Sequence, residues 1–243
     1  MTERAEITDS ERTHLHALTA SRQGWTLALI SPLFCDEGKE QHQHSYTKAH
    51  PYVLGMREVL KEVCATKPTK VLDIGSQIAQ NVAVAHLTDL TMVDVRPVID
   101  PALGLKTIQG TATAIPFADA SQSLVTSMWV MCHVGDGRYG DALDVDGDVK
   151  FLREIHRVLA PGGIALLGLG PVDSAPGIIF NAHRIYTWEW LRGQFHDIGF
   201  TVLEEKEFPV ENDIFIDPGW NRKMVCASRS DGRYAYAKLR KNA

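Results

Sequence analysis

Three groups of residues in this chain carry side chains that can bind or move charge, at spacings a fold could bring together. The first comprises Asp73 and Asp94. The run Lys70–Val71–Leu72–Asp73–Ile74–Gly75–Ser76 is apolar and β-branched until an acid and a glycine interrupt it. A buried strand that stops in this way before a helix makes a corner where the backbone can approach a nucleotide. About twenty residues on, a parallel sheet places an acid against ribose hydroxyls, and Leu90–Thr91–Met92–Val93–Asp94 ends there on a carboxylate. The second group is the loop His133–Val134–Gly135–Asp136–Gly137–Arg138–Tyr139–Gly140–Asp141, and the third is Asn181–Ala182–His183–Arg184–Ile185–Tyr186. Imidazole titrates near neutrality, so His133 and His183 are candidate bases. Arg138 and Arg184 can grip a carboxylate or phosphate bidentately, with Asp141 and Asn181 completing a candidate substrate-binding set. Tyr139 and Tyr186 can close the pocket and join the candidate catalytic residues. The alternative for Arg138, Tyr139 and Asp141 is a structural knot that braces a glycine-rich loop.

The elements that would position these groups alternate. Strands are expected at 70–74, 90–95, 105–109, 123–129 and 163–169, and helices at 78–87, 148–159 and 187–198. Such alternation predicts right-handed crossovers and a parallel sheet covered on both faces. Ahead of the first strand, Val53, Met56, Leu60 and Val63 recur at helical spacing over 51–66, and Pro51 suits a first helical turn. Residues 7–20 form a weaker helix candidate, and Trp25–Leu33 is an apolar patch. Residues 1–50 are therefore read as an extension or lid, and 51–243 as one α/β domain. Near the end, Phe200–Phe208 and Lys223–Ser228 look like two strands joined through Pro218 and Gly219.

Composition narrows the function classes. A net charge of −5 over 243 residues argues against a nucleic-acid surface built on a general positive field. No apolar run approaches the about 18 residues that cross a bilayer, and Met1–Arg12 lacks a signal-peptide core, so a cytoplasmic protein is expected. Cys35, Cys64, Cys132 and Cys226 show no paired spacing, which favours reduced thiols over a zinc cluster or disulfide framework. Asp141, Asp144, Asp146 and Asp148 do not match a calcium loop with its terminal Glu. Asp146 or Asp148 is instead expected to cap the helix that follows, and no metal is expected. His42, His44 and His50 read as a surface loop rather than a zinc site, with Tyr46 or His50 available to a lid.

Taken in order, the two acid-ended strands and Leu159–Ala160–Pro161–Gly162–Gly163, which ends a helix and opens another apolar run, resemble a class I S-adenosylmethionine-dependent methyltransferase. The second and third groups resemble, more narrowly, a methyltransferase-like family of unassigned function that carries His-Val-Gly-x-Gly-Arg-Tyr-Gly-Asp and Asn-x-His-Arg-x-Tyr motifs. The resemblance covers about Val71–Phe200. It implies a Rossmann-like, seven-stranded, mostly parallel sheet with helices on both faces, an antiparallel C-terminal hairpin and an N-terminal helical extension. It implies S-adenosyl-L-methionine as cofactor, with Asp73 at the methionine amino group, Asp94 and Val95 at the ribose, Thr111 and Ala112 at the adenine, and Ser127 and Met128 at the fourth strand's carboxyl end. Gly75, Ser76 and Gln77 would form the cofactor turn. Gln77 and Ala79 replace the family's other two glycines, so Gln77 either fills space beside the methionine moiety or bonds its carboxylate. The implied activity is methylation of a hydroxyl, or an amine, on a small polar metabolite or sugar. Two alternatives stand beside it: attack on the aminocarboxypropyl arm with release of methylthioadenosine, and a non-catalytic scaffold. The expected partner is a small molecule, with no nucleic acid and no membrane, and with the oligomeric state open, a homodimer included.

Overall fold

The computed structural model describes residues 8–22, 24–29, 51–96, 100–180, 182–209 and 233–242. Its centre is a seven-stranded sheet built from β2 (Lys70–Ile74), β3 (Asp89–Asp94), β4 (Lys106–Gln109), β5 (Gln122–Met128), β6 (Leu159–Val172), β9 (Phe200–Pro209) and β10 (Arg233–Lys241). The strand order is β4-β3-β2-β5-β6-β10-β9, and only β10 runs antiparallel to its neighbours. The order reverses between β2 and β5, which is where an open α/β sheet leaves a crevice at its carboxyl edge.

Apolar runs such as Val71–Leu72 and Val93 are buried on both faces because helices cover both. Leu72, Ile74, Val125 and Leu167 point into a core shared with α4 (Gly147–Val158) and α5 (Trp188–Ile198). Val71, Met92, Leu124 and Leu166 point the other way, into a core shared with α2 (Pro51–Thr66) and α3 (Ile78–Ala85). The alternation within each strand assigns successive residues to opposite cores.

The C-terminal pair differs from expectation. Lys223–Ser228 lies outside the described residues, and the strand that pairs with β9 is β10, inserted between β6 and β9. A second, three-stranded sheet was not legible beforehand. It joins β1 (Thr26–Leu29), β7 (Gly177–Phe180) and β8 (His183–Ile185), with β1 parallel to β7 and β7 antiparallel to β8. Within the third residue group, His183–Ile185 are thus strand. Tyr186 continues it by donating its N–H to the Pro171 carbonyl at 2.9 Å and accepting from Asp173 N at 2.9 Å, which ties the small sheet to the end of β6.

α1 (Asp9–Ser21) starts in a capping box, with Thr8 Oγ1 accepting from Glu11 N at 3.2 Å and Glu11 accepting from Thr8 N at 2.8 Å. Its Leu15 and Leu18 pack against Ile178 of β7. His42, His44, Tyr46, His50, Cys35 and Cys226 lie outside the described residues. No helix among the described residues is long and apolar enough to cross a membrane.

Candidate functional site

A cavity of about 800 Å³ opens at the carboxyl ends of β2, β3 and β5. Its floor is the turn after β2. Gly75 holds φ +66° and donates its N–H to the Val93 carbonyl at 2.9 Å; a Cβ there would come within 3.1 Å of Val130. The turn therefore uses glycine both for its left-handed backbone and for clearance. Gln77 follows as the N-cap of α3 without making a side-chain cap bond, so the first-turn N–H groups of that helix are not satisfied by its side chain. Gly75, Ser76, Gln77, Asp94, Val95, Thr111, Ala112 and Met128 all line this cavity. Thr111 and Thr113 hydroxyls bond each other at 3.0 Å.

Asp73 does not line it. The carboxylate is fully buried and accepts from Ser76 N (3.0 Å), Ser76 Oγ (2.6 Å), Gln80 Nε2 (3.4 Å), Asn81 Nδ2 (2.9 Å) and Thr126 Oγ1 (2.6 Å). Burial pushes its carboxyl up, against the downward pull of those hydrogen bonds. Asp73 holds the shape of the turn, since Ser76 Oγ in turn accepts from Met128 N at 2.9 Å and so fixes β5 to β2. Ser127 is likewise turned inward, donating to the Ile74 carbonyl at 2.7 Å.

Asp94 is the carboxylate that reaches the cavity. It is only 7% exposed and is met by Arg96, a neighbour two residues along the same turn. Arg96 and Tyr52, from the first turn of α2, are wall residues the sequence reading passed over. Spacing offered a signal for Arg96, because a turn brings residue i+2 back toward the side chain of i. Tyr52 offered none.

At the far side, Trp129 leaves β5 with φ +64°, a conformation costly for a bulky residue. The indole is received between Gly55 and Gly168, where added Cβ atoms would lie 3.0 and 2.8 Å from the ring. This bend sends Val130 and His133 onto the cavity wall together with Tyr139 and Asp141. His133 Nδ1 is hydrogen-bonded to the Ala182 carbonyl, and a carbonyl can only accept, so Nδ1 carries a proton, which in the neutral ring leaves the lone pair on Nε2. The Tyr139 ring stands edge-on to His133 at 5.4 Å between centroids. Asp141 accepts from Gly135 N at 2.7 Å and Tyr139 N at 3.4 Å, which shapes the loop that carries Tyr139.

The remaining members of the second and third groups form a brace behind this wall. Arg184 is fully buried, donating to the carbonyls of Val134 (2.5 Å) and Asp144 (3.3 Å), with Asp136 at 2.9 Å and Asp148 at 3.7 Å. Neither oxygen of Asp136 receives a well-aligned hydrogen bond, and burial, the larger effect, lifts its carboxyl to about 7 despite Arg184. Asp148 also takes Arg22 Nη2 at 2.5 Å and the Tyr186 hydroxyl at 3.3 Å. Arg22 thereby straps the end of α1 to the start of α4. Asp146 is the N-cap of α4 but makes no side-chain cap bond. Gly135 (φ +86°) lets the loop close, since a Cβ there would sit 2.2 Å from the Asp144 carbonyl oxygen.

None of His183, Tyr186, Arg138 and Arg184 lines the cavity. His183 is buried, and desolvation, helped by Arg138, lowers its pKa to about 3, so it stays neutral. Tyr186 stacks on Trp190 at 5.2 Å, and burial raises its hydroxyl well above the usual range. Arg138, 7% exposed, lies behind the Tyr139 ring, 5.7 Å from its centre. Asn181 lies outside the described residues.

Residues 107–206 match a family described as Caenorhabditis protein of unknown function, DUF268. No curated protein matches the sequence. Among solved structures, the YcgJ protein from Bacillus subtilis is similar at 15% identity and TM-score 0.58, over 79% of this chain and 99% of that one. A Burkholderia thailandensis 1,6-didemethyltoxoflavin-N1-methyltransferase, solved with 1,6-didemethyltoxoflavin and S-adenosylhomocysteine, is similar at 16% identity and TM-score 0.57, over 78% and 79%. The fold is that of the S-adenosylmethionine-dependent methyltransferases. The [4+2]-cyclase SpnF shares it at 15% identity and TM-score 0.56, over all of both chains, so this fold also carries other chemistry.

Proposed function

We propose that this protein is an S-adenosylmethionine-dependent methyltransferase acting on a hydroxyl, or an amine, of a small polar metabolite or sugar. The observation that carries this reading is the sharing of one cavity by Asp94, the α3 N-terminus left without a side-chain cap, and a His133 whose tautomer puts a lone pair on Nε2. The residues present fit the cofactor. Asp94 offers carboxylate oxygens to ribose hydroxyls, the α3 N–H groups suit the methionine carboxylate, and Thr111 and Ala112 border the space for the adenine. When bound, the cofactor supplies an electrophilic methyl carbon on a sulfonium.

The chain's own contribution is alignment and proton removal. His133 Nε2 can take the acceptor's proton as its oxygen or nitrogen attacks, while Nδ1–H, fixed on the Ala182 carbonyl, holds the ring in orientation. Tyr139 and Tyr52 border the space left for the acceptor and limit water there. Asp73, Arg184 and Asp136 touch no ligand in this scheme; they keep the turn and the loop in place.

Calorimetry with S-adenosylmethionine and S-adenosylhomocysteine tests the first step, and the expected result is saturable binding of both. Absence of heat and of any thermal shift at saturating ligand favours a scaffold instead. Incubation with hydroxylated metabolites should then yield adenosylhomocysteine. Recovery of methylthioadenosine would transfer the reaction to the aminocarboxypropyl arm.

A further inference from the structure

Arg96 stands where the two halves of the cavity meet. Its backbone N–H donates to Asp94 Oδ1 at 2.8 Å, Nε to the same oxygen at 3.1 Å, and Nη2 to Oδ2 at 3.1 Å. The guanidinium also lies 4.9 Å from the centre of the Tyr139 ring, on the loop that carries the acceptor side. One cation therefore joins the acid at the end of β3 to the aromatic ring beside His133. A carboxylate has about four lone-pair positions, and Arg96 engages three of them on Asp94. Two ribose hydroxyls bonding to Asp94 beside the backbone N–H leave one position, so the guanidinium must give up at least one of its two bonds. The Arg96 side chain is 40% exposed and can swing into solvent, whereas Asp94 at 6% cannot move away.

We propose that Arg96 is a positioning latch released by the cofactor: it holds Asp94 and Tyr139 together in the unliganded protein, and the ribose diol, in taking Asp94, frees Tyr139 to close over the acceptor. This rests on the reading above that Asp94 receives the ribose. The consequence is an order of events, cofactor before acceptor, because the Arg96 contact of Tyr139 persists until Asp94 has been claimed. Solvent screens the 40% exposed guanidinium of this pair, so the latch costs the cofactor only a few-fold in affinity.

The test is binding of S-adenosylhomocysteine, adenosine and 2′,3′-dideoxyadenosine to the unchanged protein and to Arg96→Met. Removing the competitor should tighten S-adenosylhomocysteine and adenosine about two- to fivefold and leave the dideoxynucleoside, which has no diol, unchanged. Hydrogen exchange in the loop around Tyr139 supplies a second readout. It should rise when S-adenosylhomocysteine binds the unchanged protein, and should already be raised in Arg96→Met without ligand. If the unchanged protein binds S-adenosylhomocysteine but Arg96→Met weakens that binding or leaves it alone, the latch is wrong and the proposed function stands. Equal ligand-induced exchange in both proteins would overturn it too. If the unchanged protein binds none of the three, the proposed function falls and the latch with it.

Discussion

At the scale of single residues, two similar buried side chains were given different work by what surrounds them. Asp73 and Asp94 both end parallel strands, yet one is sealed among donors from Ser76, Gln80, Asn81 and Thr126 while the other faces the cavity. The two residues predicted to do chemistry should separate cleanly in experiment. His133→Asn keeps a side-chain N–H donor for the Ala182 carbonyl but has no basic nitrogen, so turnover should fall by about 10² or more with S-adenosylhomocysteine affinity unchanged. Asp94→Ala should do the reverse, weakening cofactor affinity by about 1–3 kcal/mol; calorimetry beside initial rates checks both. The strand-end acids were legible because strands alternate and stop visibly. The contrast between His133 and His183, or between Tyr139 and Tyr186, was not, because the sequence writes the same letter for a ring on the wall and a ring behind it.

At the scale of elements, the paired motifs turn out to be one mechanical unit. Arg184 from β8 binds the carbonyls of Val134 and Asp144, which fixes the loop that presents Tyr139. Arg184→Met leaves Asp136 buried without its cation and those carbonyls without their donor. Breaking a buried pair in this way costs about 3–5 kcal/mol, and a urea midpoint lowered accordingly is the expected result. Strands β2 to β6 of the large sheet were legible from their apolar runs, β10 was not, and α2 matched its expected bounds of 51–66. The small sheet was not, since its strands have only four, four and three residues, too few for any periodicity to register. The same shortness hides that His183–Ile185 of the Asn-x-His-Arg-x-Tyr motif pair as a strand.

At the scale of the whole molecule, buried titratable groups set how stability follows pH. Burial lowers His183 to about 3 and His14 to about 4, so both are neutral in the fold while their unfolded counterparts bind protons below about 6.5. The unfolded state then holds more protons, and stability falls as pH drops from 6.5 toward 4. Asp136 works in the opposite sense between about 4 and 7, where it keeps its proton in the fold and loses it on unfolding. Asp73, also raised by burial, adds to Asp136, and His156, also lowered by burial, adds to His183 and His14. His183→Gln removes one of the groups that favour the fold at higher pH, so its melting temperature should lose less, or gain more, between pH 7 and pH 5 than that of the unchanged protein.

The strand order also bears on synthesis. β10 is the last described strand, yet it lies inside the sheet, between β6 and β9. While translation is under way, β9 leaves the ribosome with no neighbour to bond, and β6 waits with one row of amides and carbonyls open to any passing strand. The nascent chain is thus most vulnerable to aggregation before β10 is made, and a ribosome stalled ahead of Arg233 should hold a β9 that proteases cut readily, in contrast to the released protein.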